Sequence, residues 1–182
     1  AILVWLKFGF ERKDQAYASA AMKKLTSLRK HLLASVPGLA NDPDRLRTYI
    51  PEGSIAFHRG QHLSHEYRFS AEVILIGHAG DIDVVALPIL QWLGRYQPDA
   101  DPAQAVRFSA EIHKHDDIDL IFSVELTERV VALVDCEAGE IRSEHRMPEY
   151  PLEHCPATEW QLLARNPDQQ EDYQLVAEWQ SP

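Results

Sequence analysis

Two histidines separated by one residue, followed by carboxylates, form the first group in this sequence that could do chemistry. His113 and His115 alternate along a predicted strand, so both imidazoles point to the same side, and Asp116, Asp117 and Asp119 come directly after. Imidazole nitrogens and carboxylate oxygens bind Zn²⁺, so His113, His115 and Asp119 are the candidates for a metal-dependent enzyme. No further His or Cys is spaced to complete such a site, and the pattern is also typical of a solvated hairpin tip.

A looser group of histidines lies earlier in the chain and contains His58, His62, His65 and His78. Nothing in their spacing fixes a geometry, so we expect them to supply polarity to loops and strand edges. The sequence has no G-x-S-x-G nucleophile elbow, no P-loop and no G-x-G-x-x-G fingerprint. We therefore predict no catalytic residues, no metal site and no cofactor, and the enzyme alternative depends on the His113 group alone.

Composition limits the classes of partner. The 182 residues carry a formal net charge of −10, whereas binding to phosphates requires clustered Lys and Arg, so we expect no sequence-specific nucleic-acid partner. An apolar content of 45% and a charged content of 25% are ordinary for a globular domain. Cys136 and Cys155 show no metal-binding spacing, which favours reduced and inert thiols.

Residues 1–21 differ from the rest of the chain. Residues 1–10 (AILVWLKFGF) are almost wholly apolar, but crossing a bilayer takes about 20 such residues, so we expect no membrane partner. The stretch Met22-Lys23-Lys24-Leu25 looks like a natural start of translation. We therefore treat residues 1–21 as an N-terminal extension whose role the sequence does not define.

A predicted helix within residues 80–99 is the element around which the chain is organised. Its apolar residues recur at helical spacing, at Ile82, Val85, Ile89, Leu93 and Tyr96. Asp83 is the predicted N-cap and Pro98 ends the helix. Pro88 requires either that the regular helix begin only one turn earlier or that it kink there.

Helical signals also precede this element. An amphipathic helix from Met22 ends at Pro37-Gly38 and places one apolar stripe at Leu25, Leu28, Leu32, Leu33 and Val36. Asp42-Pro43 predicts the start of a second, short helix through Leu46 to Tyr49. Glu52-Gly53-Ser54 predicts a turn before a short strand that begins at Ile55.

Period-two alternation predicts the strands. Residues 66–76 are apolar on both sides near their end, which indicates a central strand. Residues 106–112 and 118–126 alternate around a hairpin turn at Asp116-Asp117. A further strand is predicted to begin at Val130, with a turn at Ala138-Gly139 into another. The sequence therefore predicts an α+β fold, in which an antiparallel sheet packs against helices.

The region beyond residue 147 changes character. Pro148, Pro151 and Pro156 predict a linker, and two alternating runs around Asn166-Pro167-Asp168 predict a β-hairpin arm. We divide the chain into the extension 1–21, an α+β core at 22–147, and the linker and arm at 148–182. The arm is predicted to dock on a neighbouring subunit or partner through Trp160, Leu162, Tyr173, Leu175 and Trp179, the last three on one strand face. Packing of the hairpin on its own domain is the alternative.

A series of short stretches carries a family resemblance across residues 22–135. In order these are Ser27-Leu28-Arg29, Gly53-Ser54-Ile55, Leu63-Ser64-His65-Glu66-Tyr67-Arg68, Gly80-Asp81-Ile82-Asp83, Leu87-Pro88-Ile89-Leu90-Gln91-Trp92-Leu93, Gln97-Pro98-Asp99 and Leu126-Thr127-Glu128-Arg129. No single stretch is specific, but the ordered series resembles tail completion protein R (gpR) of P-two-like contractile-tailed temperate bacteriophages. The linker and final strand pair resemble the family more weakly.

This resemblance implies a structural role and a tail-terminator-like architecture. It implies a homohexameric ring that caps the tail tube in the virion, at the head-proximal end of the tail, and makes the tail competent for head joining. The implied partners are further copies of the chain, tail tube and sheath proteins, and head–tail connector proteins, with assembly in the bacterial host cytoplasm. An acidic ring would let DNA pass without adhering. A metal-dependent enzyme and a transient assembly adaptor or chaperone remain the alternatives.

Overall fold

An antiparallel sheet with helices on one face organises the residues that the computed structural model describes, which are 22–60, 62–113, 117–150, 155–165 and 172–182. The helices are α1 (Lys23–Ser35) and α2 (Asp83–Tyr96), with one 3₁₀ turn at Pro43–Arg45. The strands are β1 (Leu46–Phe57), β2 (His65–His78), β3 (Val106–Ile112), β4 (Ile118–Asp135), β5 (Glu140–Arg146), β6 (Glu159–Ala164) and β7 (Gln174–Gln180). The predicted α+β class is confirmed.

Strand β4 is the spine of the larger sheet, whose order is β1-β2-β4-β3, with β5 also paired to β4. β2 pairs with one edge of β4 along residues 118–130, and β3 and β5 share the other edge, opposite residues 118–124 and 129–135 respectively. The predicted separate strand at Val130 was wrong, since those residues continue β4. The predicted turn at Gly139 into β5 is confirmed, and Gly139 has the positive φ of 67° that such turns favour.

Alternate residues of the two central strands face the helices and form the core. They are nearly inaccessible to solvent and comprise Phe69, Ala71, Val73, Leu75, Leu120, Phe122, Val124 and Leu126. A fully buried apolar side chain contributes roughly 1.5–3 kcal/mol, so this one face supplies much of the driving force for folding. The predicted period-two assignment of β2, and of β4 up to Leu126, is confirmed.

The two helices pack on this face of the sheet and complete the core. Leu25, Leu28 and Leu32 of α1 are buried, as are Ile89 and Trp92 of α2. The indole N–H of Trp92 donates to Ser27 Oγ at 3.1 Å, which links the two helices. Both helices were predicted from their apolar spacing, and both are confirmed.

The start of α2 differs in detail from the prediction. Asp83 does not act as the N-cap, because the carboxylate that accepts the Asp83 backbone N–H, at 3.0 Å, belongs to Asp81. The helix begins at Asp83 and contains Pro88, so the ring nitrogen of Pro88 has no hydrogen to donate to the carbonyl of Val84.

The short helix through Tyr49 and the turn at Glu52-Gly53-Ser54 were wrong. Only Pro43–Arg45 is helical, and Leu46 begins β1, where it pairs with Leu75 of β2. A bulge between Tyr49 and Glu52 accommodates Pro51, which cannot donate to a ladder. Gly53 lies within the strand, where an added Cβ would come 3.2 Å from the Cβ of Phe69. Gly53, which its sequence neighbours suggested was part of a turn, therefore allows β1 and β2 to pack closely.

The C-terminal strands β6 and β7 pair with each other and form a separate antiparallel pair. Strand β7 packs on α1, and Ala177 and Trp179 join the core of the same chain. Residues 151–154 and 166–171 lie outside the described residues, as do 1–21. The predicted turn at Asn166-Pro167-Asp168 and the extension 1–21 therefore stay predictions.

Candidate functional site

Two residues of the predicted metal site, His113 and Asp119, contact each other and hold the end of β2. His113 Nε2 lies 3.2 Å from Asp119 Oδ2, while His115 and Asp116 fall outside the described residues. Asp119 Oδ1 accepts the backbone N–H of Gly77 at 2.8 Å, and this bond, followed by the contact with His113, lowers the pKa of Asp119. Asp119 thus anchors the end of β2. Within the described residues, no three His, Cys, Asp or Glu side chains are arranged to hold a metal ion.

The looser histidine group is divided between the two ends of β2. His58, His62 and His65 line one cleft beside the β1–β2 loop, together with Arg68 and Arg129. His78 is buried at the opposite end of β2, where its Nε2 lies 3.0 Å from the carbonyl oxygen of Asp81. His58 and His62 lie in the loop before β2, as expected, whereas His65 and His78 are the two end residues of that central strand.

A buried carboxylate beneath the start of α1 was not predicted. Glu128 of β4 is fully buried, and its two oxygens accept the backbone N–H groups of Lys23 at 3.0 Å and Lys24 at 2.9 Å. First-turn amides have no partner within a helix and carry the positive end of its dipole. Met22 provides no side-chain cap, so a strand residue distant in sequence caps α1.

Further polar side chains surround Glu128. His145 of β5 contacts Glu128 Oε1 through Nδ1, and its ring lies parallel to that of Tyr67, with centroids 6.4 Å apart. The ammonium of Lys24 donates to Gln97 Oε1 at 2.7 Å. Burial lowers the pKa of Lys24, an effect that the nearby carboxylates of Asp99 and Glu128 oppose. Below, "the polar cluster" means Lys24, Gln97, Asp99, Thr127, Glu128 and His145.

Gln97 closes a gap in the edge of β4. Residues 125–128 lie between the segments paired to β3 and β5, so their backbone needs other partners. The Glu125 N–H donates to the carbonyl of Ala105 at 2.9 Å, and the Thr127 N–H donates to Gln97 Oε1 at 3.3 Å. Gln97 Nε2 in turn donates to Thr127 Oγ1 at 2.8 Å and to Asp99 Oδ1 at 3.0 Å. The stretches 97–99 and 126–129, both noted for their family resemblance, therefore meet in this cluster.

A signal for part of the cluster was present in the sequence. Glu128 continues the phase of Leu126 and Val130, so its position already placed a carboxylate on the buried face. Lys24 likewise lies one helical turn before Leu28. Charged residues at core positions indicate a buried partner, although spacing alone cannot identify it.

The predicted arm surface divides into two parts. Trp160 and Leu162 are half-buried against the core, and Trp179, only 9% exposed, donates from its indole N–H to Gln91 Oε1 at 2.6 Å. Tyr173 and Leu175 are 65% and 51% exposed. A bulge near Leu162 and Leu163 shifts the pairing, so Leu175 lies opposite Leu163 and not on the buried face of Trp179. The expectation that Leu175 and Trp179 share a face was wrong.

The sheet face opposite the helices carries several exposed ion pairs. Arg107 pairs with Glu125 at 2.8 Å, and Arg68 pairs with Glu66 at 2.7 Å. A cleft of about 660 Å³ on this face is lined largely by polar and charged side chains, including Glu52, Asp99 and Asp101. In the described part of the chain, neither helix has the length and apolar character needed to span a membrane.

Comparison with known proteins gives one family. Residues 22–150 match the family described as P2 phage tail completion protein R (GpR). The Tail completion protein R of Escherichia phage P2 is 37% identical over 115 residues, which cover 60% of this chain and 74% of the phage protein. No solved structure matches. The matched segment contains α1, α2 and strands β1–β5, including the whole polar cluster, while β6 and β7 lie beyond it.

Proposed function

The chain belongs to the family of P2 phage tail completion protein R, and from this premise we propose that it is a structural protein that caps the tail tube of a bacteriophage. In this proposal a hexameric ring of the chain sits at the head-proximal end of the tail, in contact with tube and sheath proteins. The ring makes the tail competent to join the head through the connector proteins. Assembly takes place in the host cytoplasm, and the ring remains in the virion.

The observation that carries the proposal is the extent of the family match, which includes the complete β1–β5 sheet and both helices. The functional groups inside this segment support a structural role. Glu128 and Asp119 accept backbone N–H groups, and Lys24 donates to Gln97. Side chains already committed to backbone and buried partners hold the scaffold and are poorly placed to act on a substrate.

A closed ring needs two different and complementary surfaces on each subunit. Tyr173 and Leu175 on the arm supply one exposed apolar surface. Ile55 and Phe57, which are 57% and 67% exposed on the last part of β1, supply a second. The formal net charge of −10 is compatible with DNA passing through the ring, because like charges prevent adhesion.

Complementation tests this role. A phage with a stop codon in this gene should yield heads and tails that do not join, and the protein supplied in trans should restore infectious particles. The variant Tyr173→Ala/Leu175→Ala should fold normally but restore few particles, because it removes the arm surface. Leu90→Ala, at a leucine 53% exposed on α2, is the matched control and should complement fully. Full joining without the protein would contradict the proposal.

Immunoblotting of purified virions separates a resident ring from a transient adaptor or chaperone. We expect the chain in the particle at a stoichiometry of about six per tail, as a six-membered ring requires. A protein that is essential for joining but missing from the particle would identify the adaptor instead.

A further inference from the structure

The edge of β3 that faces away from β4 is open. In the described part of the chain, β3 pairs only with β4, so its other edge presents free backbone groups. Natural edge strands avoid unwanted pairing by means of prolines, bulges or charges that interrupt them. Strand β1, at the opposite edge of the sheet, contains Pro51 and a bulge, whereas Val106–Ile112 (VRFSAEI) contains neither, and its two charged residues, Arg107 and Glu111, are of opposite sign.

The hydrogen bonds between β3 and β4 determine which backbone groups of β3 point toward its open edge. The Glu125 N–H donates to the Ala105 carbonyl, and the His113 N–H donates to the Asp117 carbonyl. These two bonds lie at the two ends of the regular pairing of β3 with β4. In an antiparallel pair every second residue is hydrogen-bonded to its partner, so the odd-numbered residues of β3 between them also form backbone hydrogen bonds with β4. Phe108, Ala110 and Ile112 therefore direct their N–H and C=O groups toward the open edge.

The side chains of β3 add apolar area and complementary charge. Phe108 and Ile112 are 63% and 75% exposed on the helix side of the sheet, although Phe108 contacts Phe122 with ring centroids 6.0 Å apart. Arg107 and Glu111 lie on the opposite face, four residues apart and of opposite charge. A strand with this pattern is complementary to an antiparallel copy of itself.

We propose that β3 pairs antiparallel with β3 of a second copy of this chain, about a two-fold axis at Ser109. In this register Phe108 of each copy exchanges backbone hydrogen bonds with Ala110 of the other, as the outward phase allows. Arg107 of each copy then lies directly across from Glu111 of the other, so the two-fold axis creates two attractive pairs. The same patch serves both copies, which makes the contact isologous.

This contact is distinct from the proposed ring. A two-fold contact cannot by itself close a six-membered ring, so the pair belongs to the free protein before it seats on a tail. The interface is small, because it consists of one strand pair with two large apolar side chains from each copy. We therefore expect a weak dimer whose population depends on concentration. Loss of this dimer leaves the role in tail completion unaffected.

Disulfide trapping tests the register. In a Cys136→Ser/Cys155→Ser background, which removes the two exposed native thiols, Ser109→Cys should form a covalent dimer by itself under mild oxidation. The two cysteines would face each other in a non-hydrogen-bonded pair with Cα atoms about 4.5 Å apart, within disulfide range. Ser54→Cys, an exposed serine on β1, is the matched control and should stay monomeric. Cross-linking only in a mixture of the two variants would show head-to-tail pairing and overturn the proposal.

Sedimentation of the uncross-linked protein tests the charges. Arg107→Glu places like charges opposite each other and should weaken the dimer about tenfold, while Arg107→Glu/Glu111→Arg should recover most of the loss. Arg142→Glu, at an exposed arginine of β5, should leave the dimer unchanged. Ala110→Pro, which removes an outward N–H but no bond to β4, should abolish it. A monomer at all concentrations, or a dimer indifferent to Arg107→Glu and Ala110→Pro, would overturn the proposal.

Discussion

The carboxylate of Glu128 accepts the backbone N–H of Lys24 at 2.9 Å, although the two residues lie 104 positions apart in the chain. This bond ties the first turn of α1 to the middle of β4, so the helix begins where the sheet supplies its cap. The contact exists only after the chain has folded. The start of α1 therefore depends on tertiary packing as well as on local helix propensity. The polar cluster around it therefore fixes where α1 sits on the sheet.

Removal of this cap should destabilise the protein. Glu128→Ala leaves two first-turn amides without their acceptor and removes one of the carboxylates that lie near the buried Lys24, while Asp99 remains. We expect a loss of about 3 kcal/mol in the free energy of unfolding, measured by urea denaturation. Glu125→Ala is the matched control, because its partner Arg107 is exposed, and should change stability by less than about 1 kcal/mol. Equal effects of the two substitutions would contradict the capping role.

His31 should make stability depend on pH. It is buried in α1 near Ser35, and burial lowers its pKa from 6.5 to about 4, despite a hydrogen bond to the backbone of Pro88. The unfolded chain therefore takes up the proton first as the pH falls. Stability should be lost between pH 6.5 and 4 and then level off, with a total of about 3 kcal/mol from this residue.

Urea denaturation at pH 7 and pH 4 measures this effect. His31→Gln should flatten the pH dependence, whereas His58→Gln, at an exposed loop position, should retain it. An unchanged slope in His31→Gln would show that His31 is not the group responsible.

The arm should contribute to stability through Trp179. Its burial against the helices of the same chain predicts that Trp179→Ala costs about 3 kcal/mol and lowers the melting temperature by roughly 10 °C. Leu175→Ala, at the exposed position across the bulge, should leave the melting temperature within about 2 °C. Calorimetry distinguishes the two, and a normal melting temperature for Trp179→Ala would mean that the arm does not pack on its own domain.

The strands and helices with uninterrupted periodicity were predictable from the sequence. Features that depend on partners distant in the chain were not. β1 was missed because Pro51 and Gly53 read as a turn, while pairing with β2 and a bulge carry the strand through them. β4 was divided because Glu128, although in phase with Leu126 and Val130, is a charged residue in an otherwise apolar series, and its burial depends on its contact with α1. The Trp179 contact with Gln91 spans 88 positions and has no local signature.

His113 should not bind metal. Its Nε2 contacts Asp119, whose other oxygen is committed to the Gly77 N–H. The double variant His113→Ala/His115→Ala should alter stability by less than about 0.5 kcal/mol and leave particle yield unchanged. Elemental analysis of the purified protein should find no stoichiometric zinc. Zinc present in the unmodified chain and lost in the variant would restore the enzyme alternative.

The head-proximal end of the tail is where the proposed role is tested most directly. Electron cryomicroscopy of isolated tails, with and without added protein, should show a six-fold ring of this chain on the tube end only when the protein is present. Tails that carry the ring should then join purified heads. Tube ends that remain bare at saturating protein, or that join heads equally well without it, would contradict the account.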